Sequence, residues 1–346
     1  MTELPVDELV ARAQAAAQAR WPGACILDLQ ALPGGISSLT FAARLAGGGH
    51  SGDRHVVIKV APPGLAPVRN RDVLRQARVM RVVHDAPGVR VPAVLLEDAG
   101  SPPFFVMEFI EGEAYEPKWD VSDAPPAPGV VDRRARAAAT MLARLQDVEP
   151  AAAGLADEPA LSLADELERW GRLFATAGDD LRGDERSLHR ALAARIPAPV
   201  APRILHGDYR LGNMQFAGER LAAIIDWELW SIGDPRADLA WLLAFTDPIQ
   251  RRVAHRDVPN QAAADAMPGR DELLAEYLNA SGAGEPADLS WFIAFCYYKL
   301  GSTMSVLAKR NRRLPEPDPG LELAALTLPP MLAHGLEMVS ATDWDR

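Results

Sequence analysis

Cysteine is scarce. Two thiols, Cys25 and Cys296, stand in 346 residues, too few for a disulfide framework or a cysteine-based zinc site. Both lie in apolar stretches, so each reads as a small buried hydrophobe rather than a reactive group. Basic residues are outnumbered, with 36 Lys and Arg against 47 Asp and Glu, and a formal charge of −11 provides no electrostatic footprint for nucleic acid. No apolar run approaches the roughly 18 residues that span a bilayer. The N-terminal stretch carries acids where a signal peptide needs a basic start. These absences predict a cytoplasmic protein with neither a nucleic-acid nor a membrane partner. No repeat of fixed period is found, which excludes solenoids and propellers, and no G-x-x-x-x-G-K-[ST] phosphate loop is found either.

What is present is a chain long enough for two unequal lobes. From Ile26 to about Gly112, short β-branched or aromatic runs alternate with turn chemistry. Leu39–Leu45 and His55–Val60 flank a glycine-rich tip and read as a hairpin; Pro92–Leu96 and Pro103–Ile110 read as two further strands. Val73, Leu74, Ala77, Met80 and Val83 recur at helical spacing, which predicts a helix over about Asn70–His84. Prolines and acids interrupt any pattern between Glu113 and Gly129. The expected division is therefore residues 1–112 with a leading helix over 1–25, a linker over 113–130, and a mostly helical lobe over 131–346. Helices are expected at about 131–147, 162–176, 183–195, 235–245, 270–280 and 287–309, with a last one after Pro329-Pro330. Three short apolar runs, Arg203–Leu205, Met214–Phe216 and Leu221–Ile225, read as one small sheet inserted among them.

The chemistry is concentrated at the ends of those runs. His206-Gly-Asp208-Tyr-Arg-Leu-Gly-Asn213 sets an Asp and an Asn five positions apart on a loop, and Ile224-Ile-Asp226-Trp-Glu228 puts another acid at a strand end. Phosphoryl transfer needs such a set: a carboxylate to take a hydroxyl proton and hard oxygens to hold Mg²⁺ on nucleotide phosphates. The spacing matches the kinase signature of a catalytic-loop Asp, an Asn five residues on, and a later metal-binding Asp. Alone, Asp208 or Asp226 would be turn chemistry or a helix cap; their order together carries the reading. Upstream, Lys59 sits inside the apolar run Val56–Val60, costly unless its ammonium meets an anion.

With Gly233-Asp-Pro-Arg-Ala-Asp238-Leu-Ala240 added, these motifs resemble the aminoglycoside phosphotransferase and choline kinase-like superfamily, over most of the chain. In motif style they are similar to the kinase-like domains associated with acyl-CoA dehydrogenases. The resemblance implies an α+β, bilobal protein kinase-like fold, with a small antiparallel β lobe and a larger, mostly helical lobe. It implies that Asp208 is the catalytic base or hydroxyl-orienting carboxylate, that Asn213 and Asp226 bind Mg²⁺, that His206 supports the loop, that Asp238 braces it, and that Glu228 lies one step further out. Gly34, Gly35, Ser37 and Ser38 would cover the phosphates of ATP (or GTP), Lys59 would meet them, and the strand end Glu108-Phe109-Ile110 would bind adenine through its main chain. One departure stands out: Gln76 occupies the helix position where the family carries a Glu. It can accept a hydrogen bond from Lys59 but cannot neutralise it. The implied activity is phosphoryl transfer to a hydroxyl of a small molecule, a hydroxyacyl-CoA or other metabolite. The alternatives left open are an aminoglycoside 3'-type O-phosphotransferase and a nucleotide-binding pseudokinase.

Overall fold

The computed structural model describes residues 6–32, 38–48, 52–250 and 256–340. By internal contacts the chain forms two units. The first comprises Met1–Glu113, Gln215–Ala217 and Ala222–Trp230; the second comprises Ala114–Met214, Gly218–Leu221 and Ser231–Arg346.

The first unit is built on a five-stranded antiparallel sheet in the order β1-β2-β3-β5-β4. Its strands are β1 (Cys25–Ala31), β2 (Leu39–Ala46), β3 (Arg54–Val60), β4 (Val94–Asp98) and β5 (Phe104–Glu108). The middle strand β3 is buried continuously from Val56 to Val60, as expected where both faces are covered. Helix α1 (Val6–Arg20) lays Leu9, Ala13 and Ala17, each four residues from the next, onto a core with Ile26, Phe41, Leu45, Val56, Ile58 and Phe104. Helix α2 (Val73–His84) begins later than its periodicity suggests. Asp72 is the cause: in extended backbone, its side chain accepts from the Arg75 N–H at 3.0 Å, and this N-cap separates the helix from a short 3₁₀ turn over Arg69–Arg71. Alternation along β1 turns Ile26 inward and leaves Cys25 exposed, which corrects its reading as a buried hydrophobe. At the end of this stretch the main chains of Glu113 and Phe216 exchange two 3.0 Å hydrogen bonds. Gly112 makes that approach possible, since a methyl group there would meet the Phe216 carbonyl oxygen at 2.9 Å.

The second unit is helical: α3 (Pro128–Gln146), α4 (Leu163–Phe174), α5 (Glu185–Ala193), α6 (Arg236–Ala244), α7 (Val258–Asp265), α8 (Arg270–Ser281), α9 (Leu289–Asn311), α10 (Pro319–Leu326) and α11 (Leu328–Ser340). Apolar nearly all round, α9 is the axis, packed by α4, α5, α6, α10 and α11. Helices α7 and α10 are additions to the expected set, and α11 contains Pro329 and Pro330 in its first turn, where a missing N–H costs nothing. The small inserted sheet is instead two separate ladders. Strand β6 (Arg203–Leu205) pairs with β9 (Ser231–Gly233), while β7 (Met214–Ala217) pairs with β8 (Arg220–Ile224). Between β8 and β9 the chain turns through Asp226, whose φ of 63° and ψ of 60° are left-handed. Among the described residues no helix is long and apolar enough to cross a membrane.

Candidate active site

In the first unit, Lys59 is buried on β3 opposite Phe105, and its Nζ donates to Asp226 Oδ1 at 2.7 Å. The anion that a buried lysine requires is thus supplied by the acid of the Asp226-Trp-Glu228 segment. Gln76, expected to reach Lys59, does not: fully buried on α2, it donates from Nε2 to the Asn70 carbonyl at 2.9 Å and ties down the preceding 3₁₀ turn. Asp72, four residues before Gln76, is likewise engaged: its carboxylate caps α2 by accepting from the Arg75 N–H.

Helix α2 is held to the Asp226 segment by another pair. Arg75 donates from its guanidinium to the Trp230 carbonyl at 3.1 Å and stacks 3.8 Å from the centre of the Trp230 ring, while the indole Nε1 donates to the Arg75 carbonyl at 3.1 Å. The Asp226 side chain remains 41% exposed, so Oδ2 is open to a ligand. Glu228 lies in the 3₁₀ turn Trp227–Leu229 that follows.

Of the expected phosphate-covering residues, Gly34, Gly35 and Ser37 fall outside the described residues. Ser38 is buried, and among the described residues its Oγ has no hydrogen-bond partner. At the end of β5, the Glu108 N–H donates to Ala93 O at 3.0 Å and the Phe109 N–H to His55 O at 3.2 Å. Those two amides are taken, which narrows the expected main-chain recognition. A cavity of about 540 Å³ lies here, lined by His55, Leu95 and Glu108 to Glu111 among others.

In the second unit, the loop His206–Asn213 is gripped from helix α6. Asp238, buried in its first turn, accepts from the His206 N–H at 2.6 Å and the Gly207 N–H at 3.0 Å. His206 is fully buried, and its Nδ1 receives the Asp208 N–H at 3.3 Å. The Asp208 carboxylate receives donors on both oxygens. Trp241 Nε1 lies 2.8 Å from Oδ1; Asn213 Nδ2 lies 2.7 Å and Arg210 Nε 3.3 Å from Oδ2. Burial would push this carboxyl up, but the charges of Arg210 and Lys299 outweigh it and hold the group below the ordinary range. Asn213 commits its Nδ2 hydrogens to Asp208, one to Oδ2 and one to the main-chain oxygen. Its carbonyl Oδ1 is the atom left for a hard cation.

Three further residues complete this arrangement. Glu116 is fully buried, accepts from the Gly212 N–H at 3.2 Å through Oε2, and leaves Oε1 without a partner among the described residues. Burial pushes its carboxyl up to about 7 against the opposing charge of Arg210. Arg210 lies between Asp208 and Glu116 with its guanidinium 4.7 Å from the Trp119 ring centre. Lys299 comes from α9 and donates to the Gly207 carbonyl. It stands in the apolar stretch Trp291–Leu300, where the reasoning applied to Lys59 would have found it. An ionised carboxylate held at fixed orientation, still 23% exposed, can accept a hydroxyl proton.

The model of the phosphotransferase enzyme family matches residues 28–288. Acyl-CoA dehydrogenase family member 10 of Mus musculus is 26% identical over 302 residues, covering 82% of this chain and 27% of that protein. The chain thus spans about a quarter of that relative's length. A solved structure of a Ralstonia eutropha protein assigned as an aminoglycoside phosphotransferase aligns with a TM-score of 0.72 at 21% identity, over 97% of this chain and 98% of the other. The streptomycin–ATP complex of APH(2")-IIa aligns with a TM-score of 0.57 at 18% identity, over 98% of this chain and 99% of the other.

Proposed function

The chain belongs to the phosphotransferase enzyme family and is a small-molecule kinase; from that premise we propose that it moves the γ-phosphoryl group of ATP (or GTP) to a hydroxyl of a small cytoplasmic metabolite. The observation that carries the proposal is Asp208, kept ionised and pinned on both oxygens by Trp241 and Asn213. In this reading Asp208 orients the acceptor hydroxyl and receives its proton as the phosphoryl group transfers. Lys59 brings a buried positive charge to the nucleotide phosphates. The Ser38 hydroxyl, without a partner among the described residues, donates to a phosphate oxygen, and the segment Glu108–Ile110 receives the base. Oδ1 of Asn213 and Oδ2 of Asp226 are hard donors suited to Mg²⁺, which takes few protein ligands when phosphates supply the rest. When bound, the ion offsets the charge on the phosphates. Glu228 and Asp238 support these two segments.

The Gln76 argument for a pseudokinase loses its motive, because Asp226 meets the charge of Lys59 that Gln76 leaves unmet. For the acceptor we favour a hydroxyacyl-CoA or related metabolite over an aminoglycoside. The support is the alignment of most of this chain with a protein named as an acyl-CoA dehydrogenase. Hydroxyacyl-CoAs and aminoglycosides, presented side by side to the purified protein and scored by ADP release, test the choice. Turnover with aminoglycosides alone would reverse it.

A further inference from the structure

Lys299 is an unusual cation. It stands in α9 directly after the continuously buried stretch Trp291–Tyr298, and among the described residues it makes no ion pair. Its ammonium rests on one carbonyl, that of Gly207, and on two indole faces, 4.2 Å from the centre of Trp241 and 5.4 Å from that of Trp170. A lysine needed only to satisfy a carbonyl could be a neutral donor, at far smaller desolvation cost. The indole beneath it is the one that donates to Asp208.

Helix α6 explains the geometry. Asp238 and Trp241 are three residues apart and so share one face. The first holds the main-chain N–H groups of His206 and Gly207, and the second holds the carboxylate of Asp208 at 2.8 Å. An indole N–H is a donor only. A cation over the ring draws electron density from it and makes that N–H a stronger donor, because linked polar contacts polarise one another.

We propose that Lys299 and Trp241 are positioning residues that act in series: the ammonium strengthens the indole N–H, and that N–H, opposite Asn213, fixes the plane of the Asp208 carboxylate for the incoming hydroxyl. This rests on the reading of Asp208 as the base. Neither residue touches the nucleotide in this account, so the pair controls the chemical step and leaves nucleotide affinity alone.

The test is a double-mutant cycle in the full chain with Trp241→Phe and Lys299→Met, each checked for folding by its melting curve. Turnover is scored as ADP release from Mg-ATP with water as acceptor, which requires no identified substrate. Trp241→Phe keeps an aromatic ring and loses the N–H; it should lower kcat about tenfold or more and move KM for ATP by less than about twofold. Lys299→Met should cost a similar factor in the native background and less than about twofold on top of Trp241→Phe. Lys299→Arg, which restores a cation over the ring, should recover part of the loss. Unchanged kcat in Trp241→Phe overturns the proposal, even should Lys299→Met fail to fold. An equal loss from Lys299→Met in both backgrounds also overturns it, because the lysine would then only be supporting Gly207. Asp208→Asn separates the two levels. If it leaves turnover intact, the base reading itself fails; if it abolishes turnover while Trp241→Phe does not, only the series arrangement fails.

Discussion

Glu116→Gln should stabilise the protein at alkaline pH relative to its own behaviour in acid. Glu116 is fully buried, one of its oxygens has no partner among the described residues, and burial pushes its carboxyl from an ordinary 4.5 up to about 7. The folded state therefore holds this proton more tightly than the unfolded chain does. Below about pH 4.5 both states are protonated and the group is neutral in its effect on pH dependence. As pH rises towards 7 the unfolded chain releases its proton first, and the fold loses stability until Glu116 ionises in place. With about 1.4 kcal/mol for each pH unit of that window, the loss is about 3 kcal/mol. The amide introduced by Glu116→Gln would keep the shape without a titrating proton. The melting temperature of the variant minus that of the native protein should thus grow between about pH 5 and about pH 8, by roughly 3 °C or more. Groups that do not touch Glu116 contribute equally in the two proteins and cancel in the difference. A difference that stayed constant across that range would refute the argument that Glu116 is held protonated by burial.

Two other substitutions and a labelling experiment probe separate parts of the structure. Arg75→Leu removes both the stack on Trp230 and the bond to its carbonyl; it should destabilise by about 1–3 kcal/mol in denaturant melts, since it leaves a buried acceptor unmet. Asp72→Ala deletes the α2 N-cap and should cost about 1 kcal/mol in the same melts. An aromatic disulfide reagent at neutral pH should titrate one thiol in the native protein and two after denaturation, because Cys25 is exposed while burial pushes the Cys296 thiol up to about 12. Two fast thiols in the native state would contradict the placement of Cys296 in α9.

Periodicity and turn chemistry made β2 to β5 and most of the helices legible, since each is a local signal, whereas β1 was not singled out. What else escaped was either short or non-local. Helices α7 and α10 are brief, yet each is announced by an Asp N-cap with a proline in the first turn, Asp257 before Pro259 and Asp318 before Pro319. The pairing of β6 with β9 is non-local, joining Arg203–Leu205 to Ser231–Gly233 across β7 and β8. At the site, the Asp208 to Asn213 spacing was readable because one loop carries it. The partners of Lys59 and Gln76 were not, because they depend on where Asp226 and Asn70 arrive in space. Glu116 looked like one acid in a proline-rich linker, and only tertiary burial distinguishes it from its neighbours. Lys299 could have been found by asking of every lysine in an apolar run what its ammonium meets.

The central claim is that Asp208 takes the proton from an acceptor hydroxyl. The direct measurement is single-turnover phosphoryl transfer by Asp208→Asn against the native protein, with Mg-ATP affinity measured on both. The account predicts a loss of transfer of about a hundredfold or more, with nucleotide affinity within about threefold. Transfer at the native rate by Asp208→Asn would contradict it.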